Sequence, residues 1–301
     1  MNVEVKHNFN AINLTSFKVS GEIENAYFPV NKDELVYLLK TLDKPVVLGN
    51  CSNVLLSSYG YSGNVIFTSR CNNITFDDNL VYAECGVKIQ MASKLACEKG
   101  LSGFEFMIGF PASIGGAVYM NASAHQQAIS DCFVSAEVFD VDTNEVLELS
   151  KETMQFDYRS SLCQKKKYVV LSAKFKLSDC EISKIQKQMS CNLEFRKSHQ
   201  PSLALPNCGS VFKNPINNSA GKLLDEAGVK NMTVGGAKVW ENHANFIINY
   251  NRASSEDILN LMLLMYNKVN ECYNVRLVPE VIYIGNNSEK EENLWKILTQ
   301  K

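Results

Sequence analysis

Residues 100–122, GLSGFEFMIGFPASIGGAVYMNA, set five glycines and a proline among apolar side chains. No single helix or strand accommodates that composition, because glycine weakens the interior of either element and proline removes a backbone donor. The stretch predicts a backbone threaded tightly past a ligand or a neighbouring segment. Gly115 and Gly116 carry most of that argument, and two explanations stay open for them: close approach of a flat or phosphorylated ligand, or a crossing of two backbones that leaves no room for a Cβ.

Around this stretch the hydrophobic periodicity is regular. Residues 31–42 place Leu35, Leu38, Leu39 and Leu42 on one helical face, with Asn31 as N-cap and Glu34 three residues on. Residues 87–99 do the same with Ile89, Ala92, Leu95 and Ala96, ending at Gly100. Short apolar runs at 45–48, 54–56 and 65–67 read as strands, 133–149 as a hairpin about Asp142, Thr143 and Asn144, and 168–177 as a further strand. Ile182, Ile185, Met189 and Leu193 predict a helix over 181–195, and Pro201 and Pro206 mark a boundary after it. Beyond lie a short helix over 220–227 closed by Gly228 and a longer one capped by Ser254 with Asp257. A strand over 281–284 and a charged tail helix bearing Leu294, Trp295 and Leu298 follow.

Composition narrows the function classes. At 301 residues with 46% hydrophobic and 21% charged side chains, the chain can bury a large core, which excludes disorder. Thirty basic against thirty-two acidic residues leave a net charge of −2, so no bulk positive field draws the protein to nucleic acid or anionic lipid. Ten cysteines include no CxxC pair, which predicts neither a metal site nor a disulfide scaffold. Without a leader-like apolar run or a spanning segment, a cytoplasmic protein with reduced thiols is expected.

Polar clusters stand out against this background. LGNCSN at 48–53 offers backbone N–H groups and short side chains to an anion, FDYRSS at 156–161 offers Arg159 beside Tyr158, and GSVFKNP at 209–215 gathers Ser210, Lys213 and Asn214. His243 precedes an apolar run and suits a structural hydrogen bond. Glu280 sits within VPEVIYIG, where burial would raise its pKa and suit it to acid–base work, unless it lies on an edge facing water.

Taken in order, LGNCSN, GFPASIGGAVYMNA, YRSS, GSVFKNP, AGKLLDEAG, HANFI and PEVIYIG resemble UDP-N-acetylenolpyruvoylglucosamine reductase. The resemblance spans nearly the whole chain, and the lack of an insertion before GSVFKNP resembles the shorter subtype. It implies an α+β fold: an FAD-binding region of vanillyl-alcohol-oxidase type in two parts, 1–71 and 72–196, and a C-terminal α+β substrate-binding domain, 197–301. It implies FAD as cofactor, NADPH as co-substrate and UDP-N-acetylglucosamine enolpyruvate as substrate, reduced to UDP-N-acetylmuramate for peptidoglycan synthesis. Hydride would pass from flavin N5 to C3 of the enolpyruvyl group, and a proton would reach C2. By match, Ser210 donates that proton, while Arg159 and Glu280 polarise the carboxylate and stabilise the intermediate. Gly49, Cys51, Ser52, Asn53, Gly109, Pro111, Ser113, Gly115, Gly116 and Asn121 match cofactor-binding positions, and Tyr158, Lys213, Asn214 and His243 match substrate-binding ones. A monomer without nucleic-acid or membrane partners is expected.

These roles suit the residue types. A fixed guanidinium at 159 gains strength as negative charge grows on the carboxylate, whereas Glu280 helps only if neutral or hydrogen-bonding. A serine hydroxyl is a weak acid, so Ser210 needs close approach and a relay. Cys51, Ala112 and Ser123 stand where the family usually has glycine, and Ser58 where it often has aspartate. A Cβ at 51 either obstructs backbone approach or strains a positive φ at about 1–2 kcal/mol. These departures motivate a second reading, a flavin-free UDP-sugar-binding pseudoenzyme of the same fold. A third is a flavin oxidoreductase of the same superfamily acting on another substrate.

Overall fold

The computed structural model describes residues 3–202 and 204–300. They divide into two compact units, one built from residues 3–6, 26–50 and 64–196, the other from 7–25, 51–63 and 197–300.

The first unit centres on an antiparallel five-stranded sheet. Its order is Glu145–Ser150, Phe133–Asp140, Tyr168–Lys176, Leu80–Glu84 and Ile74–Asp77. The hairpin expected at 133–149 is present, and Asn144 turns it in the left-handed conformation that asparagine tolerates. Phe175 is packed edge-on by Phe104 and Phe133, at ring separations of 5.3 and 6.0 Å. Helix Ile89–Glu98 lays Ile89, Ala92 and Ala96 into that core. Helix Lys32–Thr41 begins where predicted: Asn31 accepts the Glu34 N–H at 2.9 Å, and the Glu34 carboxylate accepts the Val30 N–H at 2.9 Å. Its Leu35, Leu38 and Leu39 pack with Ile66, Phe139 and Leu171. Strand Val46–Leu48 runs parallel to residues 65–67. The glycine-rich stretch is broken as its composition demands, into a two-residue strand, a 3-10 turn at Glu105–Gly109 and the short helix Ile114–Tyr119.

The second unit contains a four-stranded antiparallel sheet in the order Asn207–Ser210, Phe246–Asn249, Ala237–Val239, Thr233–Val234. Helix Ser255–Tyr273 carries a complete capping box between Ser254 and Asp257, buries Ile258, Leu261, Met262, Met265 and Val269 as expected, and stops at Asn274 with φ of 52°. Strand Val54–Leu56 pairs in parallel with Ile282–Ile284, so a segment from the first fifth of the chain belongs to this unit.

Tail helix Glu289–Thr299 is fastened by a buried carboxylate. Glu291 is 0% exposed and accepts from Ser57 Oγ at 2.6 Å, from Tyr283 Oη at 2.8 Å and from Ser255 Oγ. Ser255 Oγ also receives the Ser58 N–H at 2.7 Å. Burial, reinforced by the neighbouring carboxylate, pushes the Tyr283 phenol up, so it stays a donor. Glu291→Ala would orphan three buried hydroxyls and should cost roughly 3–5 kcal/mol in denaturant unfolding. A loss under about 1 kcal/mol would show the network to be dispensable.

Candidate active site

Within the first unit, the loop after strand Val46–Leu48 meets the start of helix Ile114–Tyr119. Ser113 caps that helix, its Oγ accepting the Gly116 N–H at 3.4 Å. A Cβ built on Gly49 would stand 2.3 Å from the same Oγ, so only glycine lets the 48–50 loop lie against Ser113. At Gly115 a Cβ would fall 2.8 Å from Cys85 Cβ, while its N–H donates to the Cys85 carbonyl at 2.8 Å. Ile114 N donates to Val87 O at 2.8 Å and Ile89 N to Ala112 O at 3.1 Å, which stitch the ledge to residues 85–89. Gly109, buried at the end of the 3-10 turn, and Pro111 lead the chain into it. No acidic residue occurs in 48–50 or 106–130 of this unit, so these segments offer amides and hydroxyls with no opposing charge. That donor set fits a bound diphosphate group such as that of FAD.

The end of the same helix supports the arginine. Asp157 and Ser160 exchange backbone hydrogen bonds at 3.0 and 3.2 Å, a tight turn with Tyr158 and Arg159 at its tip and Arg159 at φ of 51°. Three side chains moor that turn. Asn121 Nδ2 donates to Asp157 O at 3.0 Å while its Oδ1 accepts the Ser130 N–H, Ser161 Oγ donates to Tyr119 O at 2.8 Å, and Gln164 Nε2 donates to Tyr119 O and Arg159 O at 2.9 and 3.0 Å. Arg159 Nη1 donates to Ser123 Oγ at 2.7 Å, and its guanidinium lies 5.5 Å from the Tyr158 ring centre. The structure thus joins two motifs that sequence separates by some forty residues. Ser123, one of the departures from glycine, contributes the hydroxyl that holds Arg159. Gln164 escaped sequence reading because no motif marks it, although it lies five residues from Arg159.

Ser210, Lys213, Asn214, His243 and Glu280 all fall in the second unit, with Cys51, Ser52 and Asn53. Ser210 ends strand Asn207–Ser210, after Gly209 at φ of 75°. Glu280 N donates to Val211 O at 2.8 Å and Lys213 N to Val278 O at 2.8 Å, so the serine and glutamate segments run side by side. Asn53 joins the glutamate segment from the opposite direction: its Nδ2 donates to Glu280 O at 2.8 Å and its carbonyl accepts the Ile282 N–H at 3.0 Å. Asn53 therefore anchors Glu280, a function its place in the LGNCSN loop did not suggest. On the other edge Val211 N donates to Asn245 O at 3.0 Å, and Phe212 N and O bond the Asn245 side-chain amide at 3.0 and 2.9 Å. Asn214 Oδ1 accepts the Ala220 N–H at 3.0 Å and so caps the helix that follows. His243 Nδ1 accepts the Asn245 N–H at 3.2 Å, and burial holds its pKa below the usual histidine range, leaving a neutral ring with Nε2–H as donor.

Cys51 adopts φ of 47°, a left-handed conformation that glycine would accept without strain. Its side chain is 3% exposed and burial pushes the thiol up to about 12. It lies close enough to Cys208 that charge on one opposes ionisation of the other. The sulfur is packed inward, so Cys51→Gly should leave FAD affinity unchanged within about twofold in a titration of apoprotein, its effect confined to backbone strain and packing. Tightening by tenfold or more would instead place the sulfur against the cofactor.

Comparison with known proteins bears on the family and the fold. The family model described as UDP-N-acetylenolpyruvoylglucosamine reductase, C-terminal domain, matches residues 200–284, and an FAD binding domain model matches residues 25–150. The UDP-N-acetylenolpyruvoylglucosamine reductase of Caldicellulosiruptor bescii is 43% identical over 90% of this chain and 88% of its own length. The enzyme of that name from Caldicellulosiruptor saccharolyticus is 38% identical over 100% of this chain and 97% of its own. Among solved structures, UDP-N-acetylenolpyruvylglucosamine reductase from Thermus caldophilus superposes with a TM-score of 0.79 at 30% identity, covering 94% of this chain and 99% of that one.

Proposed function

Because the chain belongs to the UDP-N-acetylenolpyruvoylglucosamine reductase family, we propose that Ser210, Arg159 and Glu280 complete the reaction it catalyses. That reaction is the NADPH-dependent, FAD-mediated reduction of UDP-N-acetylglucosamine enolpyruvate in peptidoglycan precursor synthesis. When bound, FAD accepts hydride from NADPH and supplies it to C3 of the enolpyruvyl double bond. Gly49, Cys51, Ser52, Asn53, Gly109, Pro111, Ser113, Gly115, Gly116 and Asn121 are the residues we assign to holding it, through main-chain amides for the most part. The flavin-free reading finds no favour, since the FAD binding domain match covers residues 25–150.

The protein's own contribution is charge and one proton. Arg159, held by Ser123 and its left-handed turn, presents a guanidinium to the substrate carboxylate, where negative charge grows as the double bond is reduced. Ser210 Oγ gives its proton to C2, which completes addition of hydride and proton across the bond. Glu280, acting in its neutral form by hydrogen bonding, stabilises the intermediate and returns a proton to Ser210. Tyr158, Lys213, Asn214 and the neutral His243 bind and orient the sugar nucleotide. The observation that carries this reading is the Glu280 N–H bond to Val211 O at 2.8 Å, which fixes the glutamate beside the residue following Ser210.

We divide the chain by role at 71 and 196, the first two parts enclosing the cofactor and the third receiving the substrate. We further place the reaction in the cytoplasm, carried out by a monomer without nucleic-acid or membrane partners and serving cell shape and division. No helix among the described residues is long and apolar enough to cross a membrane.

Ser210→Ala separates the two half-reactions. Anaerobic stopped-flow absorbance should show flavin reduction by NADPH at the parent rate and reoxidation by the enolpyruvate substrate slowed roughly 10²–10⁴-fold. Equal slowing of both steps would remove Ser210 from the proton-donor role.

A further inference from the structure

We propose that Asn245 is a positioning residue for proton delivery, acting through the Phe212 peptide on the orientation of Ser210; the proposal rests on the reading of Ser210 as proton donor. Asn245 is 2% exposed and lies in the run Ala244-Asn245-Phe246-Ile247-Ile248, where a polar side chain is costly unless bonded. Its amide spends itself on one peptide unit pair: Oδ1 accepts the Phe212 N–H at 3.0 Å and Nδ2 donates to the Phe212 carbonyl at 2.9 Å. Leucine would fill a similar volume and leave both Phe212 groups buried without those bonds, so packing alone gives no reason for asparagine here.

The clamp begins where the strand ladder ends. Strand Asn207–Ser210 pairs with Phe246–Asn249 only as far as the Ser210–Phe246 pair, with a register shift between Asn207 and Ser210. Past that point one more backbone bond forms, Val211 N donating to Asn245 O at 3.0 Å, and the facing chain then turns back, Phe246 N donating to His243 O at 3.1 Å. At Phe212 the side chain of Asn245 takes the place of backbone and supplies both hydrogen bonds. On the other side of Ser210 stands Gly209, at φ of 75° with nothing within 4 Å of where its Cβ would be, its N–H donating to Asn207 Oδ1 at 3.0 Å. The residues after Ser210 are the more firmly held. Val211 and Phe212 are held on one edge by Asn245 and on the other by Glu280 and the Phe212–Pro279 bridge. Proton transfer tolerates little error in donor position, and a displacement of about 1 Å can cost 10²-fold.

The test uses holoenzyme of Asn245→Ala, Asn245→Asp, Ser210→Ala and the double variant Ser210→Ala/Asn245→Ala, matched for flavin content. For Asn245→Ala, flavin reduction by NADPH should stay within about twofold of the parent, while reoxidation by UDP-N-acetylglucosamine enolpyruvate slows about 10–100-fold, seen as a fall in kcat with KM little changed. Asn245→Asp, which keeps an acceptor for the Phe212 N–H, should fall between the two and carries the same test where the alanine variant does not fold. In the Ser210→Ala background, removal of Asn245 should slow reoxidation no further, since a residue that acts through the serine has nothing left to position. The proposal is overturned if both half-reactions slow alike, if reoxidation is unaffected, or if the two substitutions multiply. If Ser210→Ala itself reoxidises at the parent rate, the proton-donor reading fails and takes the proposal with it. If Ser210→Ala is slow and the Asn245 variants are fast, only the proposal falls.

Discussion

The second unit depends on a pairing between residues far apart in the chain. Asn53 and Glu280, 227 positions apart, are joined by a side-chain hydrogen bond, and the parallel strands Val54–Leu56 and Ile282–Ile284 continue from them. Closing a loop of that length costs roughly 5 kcal/mol of chain entropy beyond a fixed term. The hydrogen bonds at the seam contribute about 1 kcal/mol each, and the burial of Leu55 and Leu56 adds roughly 2–3 kcal/mol per side chain. The Glu291 network locks the same segment one turn later through Ser57. Candidate site and scaffold share this seam, because the segment that carries Glu280 leads directly into the strand that pairs with Val54–Leu56.

Electrostatics in this protein is local. With a net charge of −2 there is no broad field to gather an anionic sugar nucleotide, and attraction must come from individual groups. Long acid-free segments present amides without competing charge, and the Arg159 guanidinium is held by a neutral hydroxyl at Ser123 where a carboxylate would have quenched it. A hydroxyl fixes direction without bringing an opposing charge.

Much of the fold was legible because helices announce themselves locally. Asn31 with Glu34 and Ser254 with Asp257 are caps whose partners lie three residues away, and the structure contains both. Strand partnership is not local: nothing in VLL at 54–56 points to IYI at 282–284. The same limit governed the site. The resemblance names site residues by motif, whereas side chains such as Gln164 and Asn245 bond to Tyr119 and Phe212 across some thirty to forty-five positions. Asn245 did leave a trace, a lone amide among apolar neighbours. Asn53 and Asn121 match cofactor-binding positions by resemblance, and the side chain of Asn53 bonds Glu280 while that of Asn121 bonds Asp157 and Ser130. Cys51 was correctly suspected of a positive φ, and only coordinates could show its sulfur turned inward.

The seam also sets an order of events during synthesis. Residues 54–56 leave the ribosome early, but their partner strand follows 228 positions later, as the pairing of Val54 with Ile282 requires. At about 5–20 residues per second, the wait is roughly eleven to forty-five seconds. For that interval Leu55 and Leu56 form an unpaired apolar strand on a nascent chain whose first unit can already close around its own core. Delays in translation downstream of residue 196 lengthen this exposure, so the rate at which the second half is made governs how long the first half stays vulnerable to mispairing.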